Sequence, residues 1–186
     1  MEESKSLQTI QTLNKIAKVL SKIVFICCLV GGIGCIIGIV SVALIGTDEV
    51  LKIGDVSIHG LIEKEAEMSI ATMYVTMAVG MAMCFAEVVV SRTAYRYFSN
   101  ELEAGTPFTF EGAKELLRLG VITIAVPLGT NVACAIGVGI VSALVESVDK
   151  IELGNGVSLT LGIMLIVMSV IFRYGAEISS GNRNGQ

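Results

Sequence analysis

Charge is scarce in this sequence. Asp, Glu, Lys and Arg make up 16% of it, and long stretches carry none at all. A soluble domain needs charge on every exposed helix face, so this scarcity excludes one. Histidine is scarcer still. His59 stands alone, with no second His, Cys or carboxylate at metal-ligand spacing and no recognisable nucleophile–base pair. Nothing is present from which to build a metal centre or an activated nucleophile. The chain is therefore expected to be no enzyme and to hold no cofactor or metal. Basic residues number 13 against 17 acidic ones, a net charge of −4. That balance lacks the basic face needed for phosphate contacts, so no direct nucleic-acid binding is expected. The five cysteines, Cys27, Cys28, Cys35, Cys84 and Cys134, all lie in apolar segments. They read as small buried hydrophobes, and neither a disulfide framework nor a thiolate site is implied.

What is abundant is apolar: 53% of the residues are hydrophobic and the mean hydropathy is +0.78, above the roughly 45–50% apolar usage of soluble domains. The 186 residues suffice for one domain. A bilayer core of about 30 Å takes about 20 apolar residues of helix, and four segments qualify: 23–46, 68–90, 119–145 and the shorter 157–172. The first is too long for the apolar region of a signal peptide and is read as retained. The expected fold is an all-α, four-helix transmembrane bundle.

Direction follows from Lys and Arg in the connections. All of them except Lys52, Lys64 and Lys150 fall in the N-terminal segment, the middle connection or the C-terminal tail. Both termini are therefore expected in the cytoplasm, in a cell (plasma) membrane. The remaining connections, 47–67 and 146–156, are expected outside and are rich in acidic residues, among them Asp48, Glu63, Glu146 and Asp149.

Residues 1–22 place Leu7, Ile10, Leu13, Ala17 and Leu20 at helical spacing opposite lysines, the pattern of an amphipathic helix lying on the inner leaflet before the first span. The middle connection, 91–118, reads as a helical elbow. Helix continues to Gly105, a natural C-terminal stop; Thr106, Pro107 and Phe108 turn, and Thr109 caps the next helix. The tail is 173–186. Outside, alternation around Gly54-Asp55 and around Gly154-Asn155-Gly156 suggests short strands assembled into a small β-hairpin cap. Gly38-Ile39-Val40-Ser41 recurs as Gly139-Ile140-Val141-Ser142, and Ile53-Gly54-Asp55 is echoed by Leu153-Gly154-Asn155 at nearly the same offset. Duplication of one helix–loop–helix unit would make this a parallel internal repeat.

Two groups of residues could carry function. Glu87 is the one ionisable residue well inside a span, and Pro127, Thr130 and Asn131 cluster near the middle of the third. An intramembrane carboxylate marks a functional candidate, although Glu87 could equally pair with Arg92, Arg118 or Arg173. Pro127 removes a hydrogen bond to the Thr123 carbonyl and should kink the helix. Such breaks host ligands in transporters, while a plain kink with Asn131 bonded between helices is the simpler alternative. The second group, Tyr97, Pro107, Phe108 and Phe110, would form a partner surface on the elbow. Gly34 and Gly38 in the first span, with Ala135, Gly139 and Ala143 in the third, read as close-packing stripes. The expected partners are the lipid bilayer, a protein docked on the elbow and further copies of the chain.

The string Tyr97-Phe98, Gly105-Thr106-Pro107-Phe108-Thr109, Ala113, Leu116 and Arg118, with the ending Ile171-Phe172-Arg173-Tyr174-Gly175-Ala176-Glu177-Ile178, resembles a group of small four-span membrane proteins of bacteria and archaea known only as a domain of unknown function. The resemblance covers the four spans, and departs where 179–186 replace a charged tail. It implies a bacterial inner-membrane protein with a regulatory or accessory role, since members of such groups are often encoded beside helix-turn-helix regulators. Two functions follow as expectations: a non-catalytic accessory or signalling protein acting through a partner, or a small transporter or channel with a polar site at the midplane.

Overall fold

A computed structural model of the chain describes residues 2–45, 52–53, 56–57, 70–105, 109–145 and 157–183. Four helices dominate: α1 (Glu2–Ile45), α2 (Ile70–Ala104), α3 (Phe110–Leu144) and α4 (Val157–Arg183). Each contains a stretch long and apolar enough to cross a membrane. Few residues in those stretches are buried within the protein. Leu, Ile and Val side chains such as Ile37, Leu44, Leu128, Ile140 and Val170 stand exposed instead. Apolar exposure on that scale is stable only against lipid, so the helices form a multi-pass membrane protein.

The helices overshoot the bilayer. At 1.5 Å per residue, 35 residues of α2 or α3 span about 52 Å, against an apolar core of about 30 Å. Each is therefore longer by roughly two fifths of its length than an untilted crossing requires.

Two sequence expectations change. Residues 2–22 do not form a separate surface helix. They belong to α1, one continuous helix of 44 residues. No Gly or Pro interrupts the chain before Gly31, and the polar face packs on α2: Lys18 Nζ donates to Ser99 Oγ at 2.9 Å and lies 5.3 Å from the Tyr95 ring centre, while Gln11 Nε2 donates to the Gly105 carbonyl at 3.4 Å. An amphipathic face that suits a headgroup layer suits a neighbouring helix equally well. Second, α4 does not end at residue 172 but continues to Arg183, with Arg173 and Glu177 paired one turn apart at 3.5 Å and Ala176 buried. Helix α3 carries Pro127 within its length.

Between α1 and α2, Lys52–Ile53 pairs antiparallel with Val56–Ser57. The ladder is two residues long on each side. The second hairpin of the expected cap, at 150–156, lies outside the described residues.

The chain divides into two compact units. In the first (1–27, 86–129 and 155–186), Tyr97, Leu116 and Leu119 form a core, flanked by Ala94, Phe98, Leu165 and Phe172. Tyr97 meets Phe98 edge-on, ring centres 5.1 Å apart. Helices α3 and α4 touch backbone to backbone where Gly120 faces Gly162: a Cβ on Gly120 would lie 3.0 Å from the Gly162 carbonyl oxygen, and one on Gly162 would lie 3.0 Å from that of Gly120.

In the second unit (28–85 and 130–154), α1 and α2 pack through small residues. Gly31 approaches Cys84 and Gly38 approaches Met77, with a Cβ at each site 3.3 and 3.0 Å from the facing sulfur. The contacting face is thus Gly31 and Gly38, seven residues or two turns apart. Among the described residues, a Cβ on Gly34 would meet nothing within 4 Å, nor would one on Gly139, the repeat counterpart of Gly38. Cys27 is exposed and the other cysteines are half-buried, because in a bilayer a small apolar side chain loses little by facing outward.

Candidate functional site at the elbow between α2 and α3

Helix α2 ends on Gly105, whose φ of 72° lies in the left-handed region that glycine adopts without penalty. Its amide donates to the Glu101 carbonyl at 3.1 Å. Helix α3 begins on Thr109, whose Oγ1 accepts from the Gly112 amide at 2.9 Å and whose carbonyl accepts from Ala113 at 3.0 Å. This is N-cap geometry, which satisfies an amide that a helix start otherwise leaves unpaired. Thr109→Ala should cost about 1 kcal/mol, read as a lower unfolding midpoint of the purified protein. Thr109→Ser should restore it.

The reversal sets the last turn of α2 beside the first turn of α3. Glu101 and Gly112 meet there so closely that a Cβ on Gly112 would overlap Glu101 Oε1 and sit 2.8 Å from Thr109 Oγ1. Glycine at 112 is what admits the carboxylate. Glu101 is 4% exposed, and among the described residues neither of its oxygens has a hydrogen-bond partner. The Tyr97 hydroxyl, one turn back on the same helix, interacts with the Glu101 carboxyl and acts to lower it. Burial outweighs that influence and pushes the carboxyl above the ordinary carboxylate range, with the charge of Glu115 adding to the rise. The Tyr97 phenol is itself driven upward, by burial first and by Glu101 next.

Asn100 Nδ2 donates to both oxygens of Glu115, at 2.8 and 3.0 Å, holding that carboxylate in place. Glu101, Glu115, Glu103, Glu111, Asn100 and Thr109 line a cavity of about 280 Å³ in which no basic side chain takes part. A second cavity of about 120 Å³, which shares Glu115 as a lining residue, is lined by Arg96, Arg118, Thr93 and Tyr97. The elbow thus keeps an unpartnered carboxylate in an acid-lined hollow. Leaving a buried acceptor unsatisfied costs about 1–3 kcal/mol, more when it is charged.

The residues singled out from sequence are distributed differently. Tyr97 is 5% exposed and belongs to the core, so it supports the elbow from within and is not part of an outer face. Phe110, at 52%, is open. Pro107 and Phe108 lie outside the described residues. Glu87 is exposed on α2, and no ion pair reaches it among the described residues. Pro127 is buried in the first unit. Thr130 and Asn131 belong to the second, where both are half-buried; among the described residues Asn131 Oδ1 is buried without a hydrogen-bond partner. Nothing in the sequence pattern alone singles out Glu101, Glu115, Asn100 or Gly112. The available signal was acidic residues on both sides of a tight reversal, Glu101 and Glu103 before it and Glu111 and Glu115 after.

Comparison of the chain with protein-family models, curated proteins and solved structures finds no match.

Proposed function

We propose that this chain is a non-catalytic accessory or signalling protein of the plasma membrane, with both termini in the cytoplasm, that acts by docking a protein partner on the elbow between α2 and α3. The observation that carries the reading is Glu101, buried and unpartnered in a hollow that only Gly112 makes possible. A polar group held at such cost, away from the spans, points to use and not to packing. The Lys and Arg distribution supports a cytoplasmic elbow, and exposed Phe110, next in sequence to Glu111 of the hollow, offers an apolar anchor of the kind that dominates interfaces. The resemblance to the four-span group is in keeping with a regulatory role.

The test is copurification from native membranes. A partner should be retained by the wild type and lost from the Phe108→Ala, Phe110→Ala double variant, with the protein still inserted. Recovery of the chain alone, with or without those substitutions, would overturn the reading.

A second reading, a small transporter or channel, is favoured by the unsatisfied Asn131 Oδ1 within a span. It requires solute flux in proteoliposomes that disappears in Asn131→Leu.

A further inference from the structure

We propose that the cavity of about 120 Å³ lined by Arg96 on α2 and Arg118 on α3 is a binding site for a phosphate group, presented by an anionic phospholipid. The proposal goes beyond the docking reading and needs no docked protein. A lipid headgroup and free phosphate offer the same oxygens, and depth in the membrane favours the lipid.

Both arginines belong to the first unit and are exposed, so an anion from outside the protein can reach them. A guanidinium carries five N–H donors in a planar fork that meets phosphate oxygens two at a time. Among the described residues neither side chain has a hydrogen bond or an ion pair. Glu115 lines the same cavity and is the rival partner, yet Asn100 Nδ2 holds both its oxygens, at 2.8 and 3.0 Å. The lining therefore sets two guanidinium charges against one carboxylate. The surplus of one positive charge matches a phosphodiester, which carries one negative charge. Thr93 adds no donor, because its hydroxyl already donates to the Val89 carbonyl at 2.8 Å. The cavity is several times the roughly 30 Å³ that one water occupies in the liquid, room enough for a phosphate group.

Depth points to lipid. Arg118 directly precedes the apolar stretch 119–145, and Arg96 follows the stretch 68–90 by six residues, about 9 Å of helix. The headgroup layer on each side of the hydrocarbon is about 5–8 Å deep, and an arginine stem lies along apolar surface while its head reaches for polar surroundings. Both guanidiniums thus come to the level of lipid phosphates, where basic pockets between helices take headgroups. Arginines that only set the orientation of the chain would need no cavity. Arg92, exposed on α2 one turn before Arg96, does not line it, so it separates a built site from general attraction.

The experiment uses the full chain, delipidated in a neutral detergent. Native mass spectrometry compares phosphatidylglycerol with phosphatidylcholine at equal concentration, and thermal unfolding is followed in millimolar inorganic phosphate. A single phosphatidylglycerol should be retained in preference to phosphatidylcholine. Its retention should fall at least fivefold in Arg96→Gln and in Arg118→Gln, and stay unchanged in Arg92→Gln. Should a Gln variant fail to fold, Arg96→Lys and Arg118→Lys decide: each keeps the charge, loses the fork and should still weaken retention severalfold. That pattern supports the lipid as the source. A midpoint raised by inorganic phosphate and abolished by the same substitutions, with no lipid retained, supports the site with the free anion as its ligand. The proposal is overturned if neither source of phosphate binds, if phosphatidylcholine is retained as well as phosphatidylglycerol, or if Arg92→Gln weakens retention as much as the other two.

Discussion

Glu101→Gln is expected to make the protein more stable at neutral pH. The substitution keeps the shape of the side chain and removes a buried charge that has no well-formed hydrogen bond among the described residues. The gain should be about 1–3 kcal/mol, measured as a higher unfolding midpoint in detergent or nanodiscs. Its pH dependence has a definite sign. Burial raises the Glu101 carboxyl above its ordinary value of 4.5 in the folded state, so the folded state takes up the proton first as pH falls. Stability of the wild type therefore rises with falling pH from neutral, through the raised folded value, until the unfolded chain is protonated as well near 4.5. Across that window the Gln variant should show no such rise, and its advantage should vanish at the acid end. The groups that face Glu101 are Tyr97 on its own helix and Glu115 on α3. In Glu115→Gln, the wild-type slope should shrink but keep its sign. An advantage for Gln that grows on acidification would contradict the burial of an unpaired carboxylate.

The second large effect is expected at the crossing of α3 and α4. Helices in a bilayer gain little from the hydrophobic effect and depend on close approach, which small residues permit. At Gly120 an added Cβ would sit 2.8 Å from Ile166 Cγ1 and 3.1 Å from the Ile166 amide nitrogen. At Gly162 it would overlap Ile124 Cγ1. Part of what stands in the way is backbone, which cannot rotate aside. Gly120→Ala and Gly162→Ala should each cost about 1–3 kcal/mol, as overpacking does, and Leu at either position should prevent α4 from docking. The double Ala variant should cost less than the sum, because the first substitution already opens the shared contact. Gly34→Ala and Gly139→Ala serve as controls. Neither site has a neighbour within 4 Å, so the intrinsic preference of helix for Ala over Gly, about 1 kcal/mol, should leave both neutral or stabilised. Unfolding measured by sodium dodecyl sulfate titration would separate the two classes of glycine.

The contrast between these glycines shows where sequence runs out. Hydropathy was sufficient to place four membrane-crossing helices, since a bilayer demands apolar length from each segment independently. Which glycine meets which is not a local property. Gly34-xxx-Gly38 has the spacing of a packing motif, yet the face in use runs through Gly31 and Gly38, and Gly120 and Gly162 lie on different helices with nothing in either segment to pair them. The amphipathic pattern of residues 1–22 has the same limit: lysines opposite leucines are compatible with lipid headgroups or with Ser99 and Tyr95, and the latter hold Lys18. Tyr97 looked like an exposed aromatic on a connection but is the centre of a small core with Leu116 and Leu119. Glu101 resembled any acid on a polar helix end. Its isolation arises only from the reversal at Gly105 and Thr109, which brings Gly112 against it.

The central claim is that function resides at the elbow and not within the spans. The most direct measurement is photo-crosslinking in native membranes from an unnatural residue placed at Glu111, exposed at the rim of the hollow, with a second probe at Asn131 for comparison. A discrete adduct with another protein should form from position 111, disappear in Phe110→Ala, and be absent from position 131. Adducts of the chain with itself alone, or a heterologous adduct from position 131 alone, would contradict the account.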